Sequence, residues 1–444
     1  MTATASSLRA GIAGLVLCAL PTALSAGGIY VPMKGAKATG LANVGMASLA
    51  DDGSTLFYNP AGMTRLGRPF AELGLDLISA RIGVDDAGSQ AVTPGTAGIG
   101  GPVAGGSGDN TGWTPAPSLF LGAPIGLDGL WLGLAVTAPY GLGIDYGRSW
   151  FGRYDSYDNE LTTLNVAPTV AYRISPRWSV GGGVDLQYAD ATLISALPDP
   201  LSPGGPSPAT DGRSELSGDG WAAGFNLGLL FEPNAATRIG LHYRSEIAHT
   251  LDGELEVSGL RGPLEPANGK RRSKTRLQLP ARVALSATHA ITDRWTVLGE
   301  VQWFGWDVFD EIRVQFDDGG TDLVRPQGWR QAWTSGVGVQ YAPTDRWQLR
   351  AGIQYDQSPT TDALRNTSIP DSDLLWLGLG ASYRPSERLS VDIGYVRGRF
   401  AREQIDLQLP FYDGTPLATS VLVRGETDSH VDTLSLTLNY RFGD

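Results

Sequence analysis

The clearest hydrophobic pattern lies at the carboxy-terminal end of the chain, where apolar and polar side chains alternate one by one. A period of two, with one apolar and one polar face, predicts a β-strand that separates two different solvents. The same alternation recurs at three earlier places. The apolar positions of the last segment are Leu434, Leu436, Leu438, Tyr440 and Phe442, and the earlier segments cover residues 221–231, 239–244 and 349–356.

Short polar connections alternate with long Gly-, Pro- and Asp-rich ones between these strands. Six short joints and seven long loops require fourteen strands. Short turns at one end and long loops at the other are typical of an outer-membrane barrel, whose closure pairs every backbone group in lipid. We therefore predict an all-β fold, a membrane-spanning antiparallel β-barrel of 14 strands over residues 69–444. The short joints cover residues 126–129, 175–177, 232–238, 291–294, 342–346 and 384–388, and the long loops cover 83–115, 141–153, 196–216, 259–272, 318–327, 359–371 and 408–426.

An Arg-Trp pair follows three of the short joints, at residues 177–178, 294–295 and 346–347. A Trp just beyond a periplasmic turn lies at the height of the lipid headgroups, where aromatic girdles form. The alternative, a Trp in the core of a soluble β-sandwich, leaves the apolar face of the last strand without an explanation. The pattern therefore favours the membrane barrel.

Residues 1–25 have the pattern of a secretory signal peptide. Arg9 is the only charge before an apolar stretch, and small residues follow that stretch. Cleavage after Ser25 satisfies the small-residue rule best, and cleavage after Ala26 stays open. The single cysteine, Cys18, lies inside the apolar stretch, so the predicted mature chain contains no disulfide.

Residues 26–68 lack the period of two. They contain a run of small residues at 35–45 and the turn-forming sequence Asn59-Pro60-Ala61. A barrel of fourteen strands would otherwise enclose a polar lumen or channel. We interpret this compact, mostly uncharged segment as an N-terminal hatch that plugs the barrel.

Composition and charge exclude several classes of function. Glycine makes up 59 of the 444 residues, which argues against a helical protein because interior glycine weakens a helix. The net charge of −12 argues against nucleic-acid binding. The four histidines are scattered, and no Gly-x-Ser-x-Gly elbow or phosphate-binding glycine loop occurs. We therefore expect no enzyme, no metal site and no cofactor.

Several short motifs are spread over the whole mature chain. They are Ala-Asp-Asp at 50–52, the segment 57–63, Thr-Ala-Pro-Tyr-Gly at 137–141, the segment 150–154 and Leu-Asn-Val-Ala-Pro at 164–168. Together with the exported N-terminus they resemble the FadL family of outer-membrane transporters for long-chain fatty acids and other hydrophobic compounds. The resemblance implies a monomeric barrel with an N-terminal hatch and passive transport. It further implies capture between extracellular loops three and four, a lumen site near the mature N-terminus and lateral exit beside a kinked third strand.

Candidate ligand residues follow from this resemblance. The lumen candidates next to the predicted N-terminus are Ile29, Tyr30 and Val31. Apolar residues of loops three and four would form the capture surface, and ordinary loop packing is the alternative. The loop candidates are Leu193, Ile194, Leu197 and Leu201 in loop three and Leu255, Val257, Leu260 and Leu264 in loop four.

The candidate for the lateral-gate kink is the sequence Pro139-Tyr140-Gly141. Proline cannot donate a ladder hydrogen bond, and glycine permits sharp bends. These residues would therefore interrupt strand pairing, as a lateral exit requires. A simple strand end that enters loop two is the alternative.

A basic cluster at residues 270–276 lies in loop four. One interpretation is attraction of a carboxylate ligand, since arginine binds carboxylates through paired hydrogen bonds. The other is contact with lipopolysaccharide phosphates at the outer leaflet. The sequence alone leaves both open.

We expect passive uptake of long-chain fatty acids or other hydrophobic molecules across the outer membrane of a Gram-negative bacterium. Lipopolysaccharide and outer-membrane lipid would surround the monomeric barrel, and nucleic acid would not be a partner. The alternatives are a general diffusion porin for polar solutes and an adhesin or structural barrel without transport. Fatty acids, alkanes and monoaromatics all suit an apolar pocket, so the ligand stays open.

Overall fold

The computed structural model describes residues 28–443, and within them the chain forms a closed antiparallel barrel of fourteen strands. Strand β1 (Phe70–Asp86) pairs along its whole length with the last strand, β14 (Thr419–Arg441), and this pairing closes the barrel. The fourteen-stranded fold predicted from the sequence is confirmed. The predicted signal peptide, Cys18 and the cleavage site lie outside the described residues.

The other twelve strands follow in chain order, and each pairs with its neighbours. Six of these twelve consist of two segments in the described chain. Loop one adds two short strands, Gln90–Val92 and Gly101–Pro102. The bounds are β2 Gly108–Pro124, β3 Leu130–Thr137 and Gly141–Asp145, β4 Asp158–Ser175, β5 Trp178–Leu197, β6 Gly212–Asn234, β7 Thr237–Arg244 and Ile247–Ser258, β8 Gly269–Leu279 and Arg282–Ala290, β9 Trp295–Phe304 and Glu311–Phe316, β10 Leu323–Pro326 and Ala332–Thr344, β11 Trp347–Asp356, β12 Leu374–Tyr383, and β13 Leu389–Phe400 and Gln404–Phe411.

The two faces of the wall follow the alternation in the sequence. Leu434, Leu436 and Leu438 of β14 are exposed on the outer face, and Ser435 and Thr437 between them are buried. Because lipid lies outside and the polar lumen inside, each strand has an apolar and a polar face.

The three Trp residues of the Arg-Trp pairs form an aromatic girdle at the short turns. Trp178 stacks on Phe231 of β6 with ring centroids 4.2 Å apart. Trp295 stacks in the same way on Tyr341 of β10, at 4.4 Å, and Trp347 contacts a tyrosine of β12. These pairs lie at one end of the barrel, as expected for a membrane interface.

The described part of the predicted hatch fills the lumen. It contains three short helices, α1 (Ala36–Gly40), α2 (Met46–Leu49) and α3 (Thr55–Tyr58), followed by a 3-10 turn at Pro60–Arg65. Every residue from 28 to 64 except Asp51 is buried. Helices this short are unstable alone in water, so the barrel must hold them. None of the helices within the described residues is long and apolar enough to cross a membrane.

Glycines of the wall allow the backbone of the hatch to contact the backbone of the barrel. A Cβ atom at Gly352 of β11 would overlap the carbonyl oxygen of Leu41, and one at Gly240 of β7 would overlap that of Ala47. Comparable overlaps occur at several other inward-facing glycines. The high glycine content therefore has a structural reason that composition alone does not reveal. These further wall positions are Gly181, Gly378 and Gly394, which contact hatch backbone, and Gly228, which contacts the side chains of Asn59 and Pro60.

Candidate functional site

The first described residues pair with the interruption of β3. Tyr30 lies opposite Tyr140 in an isolated antiparallel bridge. The amide of Val31 donates to the carbonyl oxygen of Pro139 at 2.9 Å, and the amide of Gly141 donates to that of Ile29 at 3.0 Å. The structure therefore brings together two predicted sets, the lumen candidates 29–31 and the kink candidates 139–141.

The kink of β3 is a break in the ladder with β4. The first segment pairs Thr137 with Asn165, and the second pairs Gly141 with Thr162, so the register shifts by one residue. At the break, the hydroxyl of Thr163 accepts from the amide of Tyr140 at 3.0 Å and donates to its carbonyl oxygen at 2.6 Å. Because β3 resumes after the break, residues 139–141 interrupt the strand and do not end it.

The ladder between β2 and β3 also stops at this level. It ends at Leu119 opposite Val136, although β2 continues to Gly108. Further along, the side chain of Asn110 donates to the carbonyl oxygen of Gly143 at 3.0 Å. We call the stretch between residues 115–117 of β2 and 138–140 of β3 the wall gap, because the described strands form no ladder there.

Aromatic rings surround Tyr30 beside the wall gap. Its ring lies 5.6 Å from that of Tyr140 and 5.2 Å from that of Phe304. Trp306 follows Phe304 in the interruption of β9, and Trp329 lies in the interruption of β10, with their centroids 4.9 Å apart. The breaks in β9 and β10 thus direct large apolar side chains into the lumen. Tyr30, Tyr140, Phe304, Trp306, Phe309 and Trp329 form what we call the aromatic cluster.

Three cations approach the ring of Phe57 in the hatch. The guanidinium of Arg244 lies 4.6 Å from the ring centroid, that of Arg282 5.5 Å and the ammonium of Lys34 5.6 Å. Burial lowers the pKa of the Lys34 ammonium to about 7, and this group donates to the carbonyl oxygen of Val31 at 2.7 Å. The two arginines therefore carry the permanent positive charge of the site.

The two arginines differ in their partners. Arg244 forms an ion pair with Asp185 of β5. Arg282 donates to the hydroxyl of Tyr30 and, at 3.4 Å, to the side-chain oxygen of Gln302. Its Nη2 atom lies 3.4 Å from Nδ1 of His242. The described residues place no carboxylate within ion-pair distance of Arg282. Its side chain is 2% exposed, and its Nε atom is buried without a hydrogen-bond partner. A buried guanidinium in this state can bind an anionic group.

Neither Arg282 nor Arg244 belongs to the residues predicted from the sequence. Both lie at an end of a strand segment, next to an interruption, and both are buried. A buried, inward-facing charge in a barrel strand is itself a signal for a site. The pattern of the sequence did not reveal that Tyr30 meets Arg282, because the two residues are far apart along the chain.

Five of the eight predicted loop candidates lie on the ends of β5 and β7, and Leu201, Leu260 and Leu264 lie in the loops that follow these strands. Leu193 of β5 and Leu255 of β7 both lie opposite Leu216 of β6, which gives a half-buried apolar row across three strands. Leu260 is buried, whereas Leu201 is 46% exposed. Leu193 and Leu255 thus lie on either side of Leu216 in one row. The remaining candidates are Ile194, which is buried, and Leu197, Val257 and Leu264, which are half-buried.

The basic cluster at 270–276 lies on strand β8 and not in loop four as predicted, and it has acidic partners on neighbouring strands and loops. Lys270 contacts Glu254 at 2.6 Å, and Arg271 contacts Asp318 at 2.7 Å. Lys274 lies 3.3 Å from Asp252. These exposed pairs reduce the local charge that would attract a carboxylate or a phosphate.

Asn59 of the predicted hatch motif connects three parts of the molecule. Its side-chain nitrogen, Nδ2, donates to the carbonyl oxygen of Ala47 in α2 at 2.7 Å and to that of Leu229 on β6 at 3.0 Å. Its side-chain oxygen accepts from the amide of Ala61 at 3.1 Å, which caps the 3-10 turn that begins at Pro60. The motif therefore joins the hatch to the wall.

Comparison with known proteins relates this geometry to a family. A family model described as outer membrane protein transport protein (OMPP1/FadL/TodX) matches residues 17–442. A long-chain fatty acid transport protein of Escherichia coli O6:H1 is 30% identical over 387 residues, covering 81% of this chain and 84% of that protein. Outer membrane protein P1 of Haemophilus influenzae is 27% identical, with 91% and 92% covered.

Solved structures share the fold. A FadL homologue of Pseudomonas aeruginosa superimposes with a TM-score of 0.80 at 24% identity, covering 94% of this chain and all of that one. The toluene transporter TodX of Pseudomonas putida gives a TM-score of 0.69 at 20% identity, with 93% and 99% covered. The chain therefore belongs to the FadL family of outer-membrane transport proteins, which are transport channels of Gram-negative bacteria and not enzymes.

Proposed function

We propose that this chain takes up long-chain fatty acids or other hydrophobic molecules passively and releases them sideways through the wall gap. One observation carries the proposal: residues 29–31 pair with the interrupted edge of β3 at the level where the β2–β3 ladder stops. A small movement of this segment would connect the lumen to the hydrocarbon layer. Sideways release bypasses the sugar and phosphate layer of lipopolysaccharide, which blocks apolar solutes.

The lumen site would receive the ligand at the aromatic cluster. Aromatic walls with a few converging polar groups are typical of small-molecule sites. Ile29 and Tyr30 are only 2% and 4% exposed, so a ligand in contact with Arg282 must displace the Tyr30 side chain. Since Tyr30 belongs to the segment that pairs with β3, ligand binding would loosen the same segment that covers the wall gap.

Ligand capture is proposed at the apolar row formed by Leu193, Leu216 and Leu255. This row lies on the extracellular ends of β5 to β7, where a hydrophobic molecule from outside would arrive first. We further propose that the barrel acts as a monomer with lipopolysaccharide around its rim. The described relatives include a long-chain fatty acid transport protein and a toluene transporter, and both ligand classes are apolar.

A long-chain fatty acid is the ligand that Arg282 favours. Its carboxylate would form the direct ion pair that Arg282 lacks, since Glu300 acts on Arg282 only from beyond ion-pair distance. The alkyl chain of the fatty acid would contact the aromatic cluster. Neutral hydrocarbons would use only the aromatic cluster. The ratio between the two affinities therefore depends on Arg282.

Replacing Arg282 by methionine tests this assignment. We expect the affinity for oleate to fall about 10- to 100-fold, because a hydrogen bond to a charged group contributes roughly 1.5–3 kcal/mol. The affinity for hexadecane and toluene should change little. Isothermal titration of detergent-purified protein measures all three. Arg271→Met is the matched control, since Arg271 is an exposed arginine paired with Asp318 in the loop region.

If the affinities for oleate and hexadecane fell equally, Arg282 would support the structure of the site and would not bind the carboxylate. If the wild-type protein bound none of the three compounds, the diffusion porin would become the better function. Single-channel conductance then decides, because a porin passes ions through an open lumen. The buried hatch residues argue against that alternative.

A further inference from the structure

Two prolines of β2 lie where the β2–β3 ladder stops. The ladder ends at Leu119 opposite Val136, and the next two residues of β2 with the same orientation as Leu119 are Pro117 and Pro115. On its other edge, β2 pairs with β1 without interruption through this stretch. The loss of pairing is therefore confined to the edge that faces β3.

The turn between β2 and β3 reveals the direction of the N–H groups. The amide of Ile125 donates to the carbonyl oxygen of Leu130 at 3.0 Å. In an antiparallel strand successive residues direct their N–H groups to alternate neighbours, so the odd-numbered residues of β2 direct theirs at β3. Both prolines belong to this set. Because the register of β3 shifts by one residue at the break, a continued ladder would place Pro117 opposite Pro139 and Pro115 opposite Gly141.

Proline has no N–H group, so β2 lacks both donors that it would direct at this part of β3. The facing edge of β3 has other partners. Tyr140 directs its N–H and C=O groups at Thr163 of β4, and the groups of Pro139 and Gly141 therefore point the opposite way, towards β2. Residues 29–31 occupy that edge through their two backbone hydrogen bonds.

We propose that Pro115 and Pro117 keep the barrel wall open, because they prevent β2 from pairing with β3 and so reserve the β3 edge for the removable segment 29–31. This inference rests on the lateral release proposed above. The prolines belong to the outward-facing set of β2, which includes the exposed Trp113 and Leu121. They act on the wall and not on the ligand.

Without these prolines, β2 and residues 29–31 would compete for one edge of β3. Strand β2 is held next to β3 by its pairing with β1 at the same level. Residues 29–31, in contrast, are held to β3 by only two backbone hydrogen bonds. Pairing by β2 would extend the ladder past Leu119 and close the wall. The wall gap is thus encoded in β2 as well as in the interruption of β3.

The test is the double substitution Pro115→Val and Pro117→Val, since valine suits a strand and restores both N–H groups. We expect the purified protein to retain saturable oleate binding, because Arg282 and the wall residues of the aromatic cluster stay in place. Uptake of labelled oleate should fall about tenfold or more in cells that lack another fatty-acid transporter, because closed pairing replaces the open state. Hydrogen exchange should show new protection at positions 115 and 117.

Pro168→Val is the matched control. Pro168 is an exposed proline on β4 that lies opposite Leu134, where β3 keeps its ladder, so uptake should not change.

Retained binding with unchanged uptake in the double variant would overturn the proposal. Absence of oleate binding in the wild type would instead overturn the proposed function. If the double variant does not fold, the single Pro117→Val variant should give the same direction of change, and unchanged uptake there would also overturn the proposal.

Discussion

Replacing Gly352 by leucine is expected to displace the hatch and open the lumen to ions. A Cβ atom at Gly352 would overlap the carbonyl oxygen and the Cα atom of Leu41. Because both are backbone atoms, no side-chain rotation relieves the overlap. Overpacking of this kind costs about 1–3 kcal/mol or more, and moving the hatch away from β11 is the available response.

Single-channel conductance of the reconstituted protein measures this effect. We expect a clear increase for Gly352→Leu, since a displaced hatch leaves a water-filled path through the barrel. Gly299→Leu is the matched control, because a Cβ atom at Gly299 of β9 has its nearest neighbour 4.0 Å away. If Gly352→Leu kept the conductance of the wild type, the glycine contacts would not be what holds the hatch. Gly240→Val tests the same contact against Ala47 if the first variant does not fold.

The barrel could be predicted from the sequence because each strand lies between two solvents. Alternation at Leu434, Leu436 and Leu438 is required wherever one face meets lipid and the other a polar lumen. The alternation of short and long connections gives the strand number. These are local or nearly local signals, so one sequence is sufficient to detect them.

The site depends on contacts between distant parts of the chain. Arg282 of β8 and Phe304 of β9 contact Tyr30 in the hatch, and Trp306, from the interruption of β9, contacts Tyr140 beside it. No spacing in the sequence links these residues. The sequence did indicate that residues 29–31 and 139–141 are special, but it assigned them to two separate roles and did not show that they pair.

The wall glycines were recognised only as a bias in composition. Gly240 and Gly352 are required where backbone meets backbone, and only the position of the hatch identifies them among the other glycines. Pro115 and Pro117 are similar in this respect. A proline on a strand is visible in the sequence, but the edge that it disrupts depends on the register with β3.

Replacing Asn59 by alanine is expected to release the hatch from β6 and from α2 together. The substitution leaves the carbonyl oxygens of Ala47 and Leu229 and the amide of Ala61 without their partner. Asn59 is fully buried, so water does not replace these hydrogen bonds without opening the structure. We expect the hatch to be destabilised by about 2–4 kcal/mol, since an unsatisfied buried polar group costs roughly 1–3 kcal/mol.

Limited proteolysis with trypsin measures this release, because Lys34 and Lys37 of the hatch are buried and become substrates only when the hatch opens. Cleavage after these lysines should be faster in Asn59→Ala than in the wild type. Asn268→Ala is the matched control, since the side chain of Asn268 makes two hydrogen bonds of 2.9 Å, both to the backbone of Leu260 in loop four. Equal cleavage of the two variants would mean that Asn59 supports only its own turn, whereas faster cleavage of Asn59→Ala alone would identify it as the residue that holds the hatch to the wall.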